Sequence, residues 1–196
     1  MDQLQAAIDD VTTDFTSTVH RTPYAAISPT RSQLSKAGKT VLVTGGGSGI
    51  GKAIARNFAL ASAATVIIVA RQADRLEDAS EELAKTAEGA KSPTKFIARS
   101  CDITNSGEVT ALWEYLAAQG IKVDVLVLNA AKFSPLQSLF ELGIEEVWSH
   151  FEANVKGPLH FAELFSKQDG EGQKVNYSSS VFTIHKKLLT KDPSSC

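Results

Sequence analysis

Five glycines crowd into Gly45-Gly46-Gly47-Ser48-Gly49-Ile50-Gly51, directly after the β-branched run Lys39 to Thr44 (KTVLVT). Glycine at this density lets a backbone turn tightly and approach a charged ligand that side chains would hold away. Where such a loop opens a helix, the first turn offers unpaired N–H groups and a partial positive charge. Together these features bind phosphate. Gly45, Ser48, Gly49, Ile50 and Gly51 are therefore the candidate phosphate contacts. The alternative is an ordinary strand-to-helix turn, and the spacing Gly45-x-x-x-Gly49-x-Gly51 is not the commoner G-x-G-x-x-G.

A second run, Thr65 to Ala70 (TVIIVA), is followed at once by Arg71. Dinucleotide sites place an acidic group near this point to accept a hydrogen bond from the ribose 2′-OH. An acid would repel a 2′-phosphate, whereas an arginine pairs with it through charge-assisted bonds. The pattern predicts NADP(H) in preference to NAD(H). Ser48 and Arg75 could assist, the alternative for Arg75 being occupation by its acidic neighbours Asp74 and Glu77. The alternative for Arg71 is a solvated surface arginine.

These groups need a frame. Strands are expected at 39–44, 65–70, 95–100, 123–129 and 173–178, and helices at 50–61, 74–87, 107–119 and 144–167. Strands alternating with helices imply a parallel sheet covered on both faces. The expected fold class is α/β, a Rossmann-type doubly wound parallel sheet ordered 3-2-1-4-5 and incomplete at the C-terminus. Residues 39–180 form the NADP(H)-binding domain. Residues 1–38 read as an N-terminal extension, with Leu4, Ile8, Val11, Phe15 and Val19 at helical spacing, and 181–196 as a divergent tail.

Composition excludes several classes. Twenty basic and 22 acidic side chains leave a net charge of -2, which makes no electrostatic case for nucleic acid or a membrane surface. The longest apolar run, 59–70, is broken by Ser62 and Thr65 and is too short to span a bilayer. Cys101 and Cys196 lack metal-ligand spacing, so no metal site is expected. Asp9, Asp10 and Asp14 argue against a transit peptide, and the expected location is the cytoplasm.

Across residues 39–180 the sequence resembles the short-chain dehydrogenase/reductase family, and the glycine loop with Thr22-Pro23-Tyr24 is most similar to fungal members. The resemblance rests on the glycine loop and three further elements. Asp102 matches the family aspartate that binds the adenine amino group, its alternative being a helix cap. Asn129-Ala130-Ala131 matches the Asn-Asn-Ala-Gly element, with Leu128 and Ala131 as departures. Asn129 would border the adenosine ribose and steady the sheet. Asn176-Tyr177-Ser178-Ser179-Ser180 matches the strand-five Asn-x-Ser-Ser element, with Ser179 as the catalytic serine by register and Ser178 and Ser180 as alternatives.

The same resemblance implies hydride transfer between a nicotinamide and a small-molecule carbonyl or alcohol. It also implies a homo-oligomer contact through the 144–167 helix. Asn154, in Asn154-Val155-Lys156-Gly157, matches the asparagine of the family's proton relay. Pro158 has no N–H to give the Asn154 carbonyl, which suits a relay water or, alternatively, only kinks the helix. The family's Tyr-x-x-x-Lys motif is not found. Four residues after Tyr24, Tyr115 and Tyr177 stand Ser28, Gln119 and Val181. Three expectations follow. The chain is a truncated oxidoreductase whose activity is lost, a non-catalytic NADP(H)-binding or partner-binding protein, or an enzyme with a rearranged base drawn from His185, Lys186 and Lys187.

Overall fold

Successive residues along a strand point to opposite faces of a sheet, so strands that are apolar throughout need cover on both. The chain uses both faces. In a computed structural model, which describes His20, Thr22 and residues 24–134, 138–168 and 174–177, the strands are β1 (Thr40–Thr44), β2 (Thr65–Ala70), β3 (Lys95–Ser100), β4 (Val125–Leu128) and β5 (Lys174–Tyr177). All pairings are parallel, in the order β3-β2-β1-β4-β5. This is the doubly wound arrangement expected from the alternation of strands and helices.

Helices α1 (Gly49–Leu60) and α2 (Ala73–Gly89) cover one face, where Val41, Val43, Ile68 and Val127 meet Ala55, Leu76 and Leu83. Helix α3 (Ser106–Ala118) and helix α5 (Gly157–Ser166) cover the other. There Leu42, Ile67, Val69 and Leu126 pack on Trp113, Leu116, Phe161 and Phe165. Burying a side chain of this size contributes roughly 1.5–3 kcal/mol. Two such layers hold the strand ends, and the loops beyond them, in fixed relation.

The caps are explicit. Asn105 accepts hydrogen bonds from the Gly107 and Glu108 amides at 3.0 and 3.3 Å and so starts α3. Ser138 and Glu141 form a reciprocal capping box that starts α4 (Leu139–Phe151). Gly143, at φ 76° and ψ 160°, then interrupts that helix, so its unbroken course begins at Ile144.

The single helix expected over 144–167 is not found. Helix α4 gives way to a π-turn, Glu152–Lys156, before α5 begins at Gly157. Pro158 is the cause, because it has no N–H for the Asn154 carbonyl and breaks the i→i−4 ladder. The Gly157 N–H reaches back to the Glu152 carbonyl instead. The turn after β3 leaves no room for a side chain at Gly157, where a Cβ would lie 2.6 Å from the Ile103 carbonyl oxygen.

Candidate functional site

In a doubly wound sheet the crevice lies at the C-terminal strand ends, where the strand order reverses. Here the reversal falls between β1 and β4. The loop 45–48 leaves β1 at this point and turns back over β2. Gly45 and Gly46 both donate to the Val69 carbonyl, at 2.7 and 3.2 Å. Gly51 permits the closest approach, because a Cβ there would collide with the Gly45 carbonyl oxygen and stand 2.6 Å from Asn129 Nδ2.

The mouth of the loop faces open space. Gly49 has φ 49°, and a Cβ built on it meets no atom within 4 Å. Ser48 is the N-cap of α1, yet its hydroxyl makes no capping hydrogen bond. The first-turn amides of α1 and a serine hydroxyl with no hydrogen bond among the described residues are therefore available to an anion. These residues fit the phosphates of a dinucleotide.

Asn129 joins the two central strands. Its side-chain amide donates to the Thr44 carbonyl at 3.0 Å, and its backbone N–H donates to Thr44 Oγ1 at 3.0 Å. The Ala130 N–H also donates to Thr44 Oγ1, at 3.1 Å. Thr44 was not singled out from the sequence. Its burial is the reason it matters, since a hydroxyl inside a sheet needs partners.

Arg71 lies one residue past β2, exposed, and its side chain has no hydrogen bond or ion pair among the described residues. Its carbonyl accepts from Ser100 Oγ at 2.9 Å, which ties the end of β2 to the end of β3. Beyond β3, Asp102 Oδ1 accepts from the Thr104 amide and hydroxyl at 2.9 and 2.8 Å. The Asp102 N–H donates to Glu108 at 2.8 Å. The second carboxylate oxygen of Asp102 has no partner among the described residues. Beside it, burial first and then the charges of Glu108 and Asp102 push the Cys101 thiol up to about 12, so it is chemically inert near neutral pH.

Asn154 comes from the π-turn and reaches the loop after β4. Its Oδ1 accepts from the Lys132 N–H at 2.8 Å and its Nδ2 donates to the Lys132 carbonyl at 2.9 Å. Lys132 Nζ in turn donates to Glu146 at 2.8 Å and to Ser149 at 2.6 Å. Ser134 Oγ stands 2.5 Å from both Glu146 Oε1 and His150 Nε2. The hydrogen bond from Lys132, then that from Ser134, holds the Glu146 carboxyl down at about 2. Lys132, Ser134, Glu146, Ser149 and His150 escaped the sequence reading. Only the i, i+3, i+4 spacing of the last three signals a shared helix face, and that spacing suits any solvated surface.

The structure thus gathers Gly45, Gly49, Gly51 and Asn129 at one crevice, with Arg71 and Asp102 along the neighbouring strand ends. Asn154 sits on the β4 side. Ser179 and its alternatives Ser178 and Ser180 lie outside the described residues. So do His185, Lys186, Lys187 and the apolar positions from Leu4 to Val19. Among the described residues no cluster of His, Cys, Asp or Glu could hold a metal ion.

Comparison with known proteins agrees with this geometry. The family model for the short chain dehydrogenases matches residues 39–188. The short chain dehydrogenase pigC of Monascus ruber is 32% identical over 152 residues, which are 78% of this chain and 49% of that protein. A short chain dehydrogenase/reductase of Claviceps purpurea is 33% identical over 166 residues, 85% of this chain and 54% of its own length. Among solved structures, a short-chain type dehydrogenase/reductase from Mycobacterium ulcerans superposes with a TM-score of 0.64 at 27% identity, covering 74% of this chain and 51% of that one. The L-sorbose reductase of Gluconobacter frateurii, solved with NADPH and L-sorbose, gives 0.61 at 28% identity, over 73% and 52%. The chain spans about half the length of these relatives.

Proposed function

The chain belongs to the short chain dehydrogenase family, a family of oxidoreductases, and from that premise we propose that it is an NADP(H)-binding unit of such an enzyme. The observation that carries the reading is Arg71. It stands exposed and unpaired among the described residues where an NAD site would hold an acid. Ser48, with its uncapping hydroxyl, and the first turn of α1 supply further donors for phosphate. Asp102 and Asn129 complete the adenosine side.

NADP(H), when bound, supplies the hydride acceptor or donor. What this chain's residues contribute is grip and orientation. The glycine loop and Arg71 hold the phosphates, Asn129 fixes the loop to β4, and Asn154 holds the segment after β4. In the reaction of a whole enzyme, Ser179 would hydrogen-bond the reacting oxygen of a small carbonyl or alcohol and Asn154 would serve a proton relay. The exposed side chains of Trp148, Phe151, Val155 and Leu159 support self-association through this helical face. Among the described residues no helix is long and apolar enough to cross a membrane, and we assign the protein to the cytoplasm.

One observation favours a second reading, in which the chain binds nucleotide without turning over a substrate. None of its three tyrosines is followed four positions later by lysine. A positioned acid–base group contributes about 10²–10⁴-fold, and neither a serine hydroxyl nor an asparagine amide titrates near neutral pH. NADPH oxidation with a panel of aldehydes and ketones tests whether the chain turns over a substrate by itself. Background rates, equal to those of a Ser179→Ala variant, are expected of the chain alone. Turnover that disappears in Ser179→Ala would show that it carries a complete catalytic set.

A further inference from the structure

Residues 146 and 154 stand eight positions apart on α4 and the π-turn. In an unbroken α-helix that separation turns the two side chains about 80° apart around the axis. A π-turn takes up one extra residue over its length, so within it the offset narrows from that value. The π-turn thereby brings Asn154 onto the face that carries Glu146, Ser149 and His150. All four side chains then engage one short stretch of the loop after β4. Glu146 and Ser149 hold the Lys132 ammonium, His150 holds Ser134, and Asn154 holds the Lys132 backbone on both its N–H and its carbonyl.

Lys132 is the shared element. Asn154 bonds its backbone twice while Glu146 and Ser149 anchor its side chain, and Glu146 also meets the Ser134 hydroxyl beside His150. Breaking the ammonium–carboxylate contact removes the charge-assisted tie between the loop and α4, leaving the contacts of Ser149 and His150 beside the Asn154 amide. We propose that Glu146 and Lys132 are positioning residues for Asn154, forming an ionic clamp that sets the side-chain orientation of the residue at the π-turn. This rests on the reading that Asn154 serves the proton relay. The clamp itself concerns only how that residue is held.

Amide hydrogen exchange on the full chain, with no nucleotide added, tests it. The probe is the Lys132 N–H, which Asn154 protects, and the reference is the Thr40 N–H, which Asp124 protects at the far end of the sheet. Glu146→Gln and Lys132→Met should each speed exchange at Lys132 by about tenfold or more and leave Thr40 unchanged. Lys132→Arg, which keeps the charge-assisted contact, should retain protection within about threefold. In an Asn154→Ala background, adding Glu146→Gln should bring no further acceleration, because both act on one contact. Wild-type exchange at Lys132 in both Glu146→Gln and Lys132→Met, with acceleration in Asn154→Ala, overturns the proposal. A parallel rise at Thr40 in both clamp variants overturns it too, since the pair would then support the whole fold and not the one residue. A failure here leaves the NADP(H) reading intact, and a failure of nucleotide binding leaves the exchange result standing.

Discussion

Thr44 and Asn129 close a ring of hydrogen bonds across the ends of β1 and β4. The Asn129 N–H donates to Thr44 Oγ1 at 3.0 Å while the Asn129 side chain donates to the Thr44 carbonyl at 3.0 Å. The Thr44 hydroxyl itself donates to the Val127 carbonyl, at 3.3 Å. The switch point of the sheet is thus locked by one buried threonine, and the glycine loop starts from a fixed base.

Thr44→Val keeps the shape and removes that hydroxyl. The Asn129 and Ala130 amides both lose their acceptor in a part-buried site, so a loss of roughly 1–3 kcal/mol is expected. A urea unfolding series with an unchanged m value would measure it. An unaltered midpoint would mean that the ring contributes nothing.

Two glycine substitutions should separate packing from ligand access. Gly51→Ala drives a methyl group against Asn129 Nδ2 and should disrupt the loop together with nucleotide binding. Gly49→Ala meets open space but forces a left-handed residue, which costs about 1–2 kcal/mol. Its thermal midpoint should fall modestly and its nucleotide affinity more, because the added methyl points where a phosphate would lie. Equal effects of the two changes on stability would contradict the packing described for Gly51.

Much of this frame is legible in the residues, and the reason is physical. Runs such as TVLVT and TVIIVA are dominated by β-branched and apolar residues, and a strand buried on both faces has that composition. Glycine spacing and the position of Arg71 are likewise local signals. The break in the 144–167 helix had its signal in Pro158, but a missing N–H does not say whether a helix will kink or pass into a π-turn. The Lys132 clamp was illegible because it needs a loop to fold back on a helix. Lys132, Ser134 and Glu146 carry no pattern until that happens.

Acid should reveal the clamp. The Glu146 carboxyl lies at about 2 in the fold, held down by the hydrogen bonds from Lys132 and Ser134, against an ordinary 4.5. The charged and titratable groups facing it are Lys132 and His150. A depressed carboxyl contributes stability above its unfolded value and loses it as pH falls through the folded value. The stability advantage of wild type over Glu146→Gln should therefore be constant above about pH 5 and shrink between 4.5 and 2. Denaturant midpoints of both proteins across that window would show it, and a difference that grows toward low pH would contradict the assignment.

Nucleotide preference tests the central claim most directly. Fluorescence titration of the chain with NADPH and NADH should give a preference for NADPH of about tenfold or more, a difference of about 1.4 kcal/mol. Arg71→Asp replaces the cation with the acid of an NAD site and should reverse the order of the two affinities. Equal affinity for both nucleotides, before and after that change, would contradict the account and return Arg71 to the solvated surface.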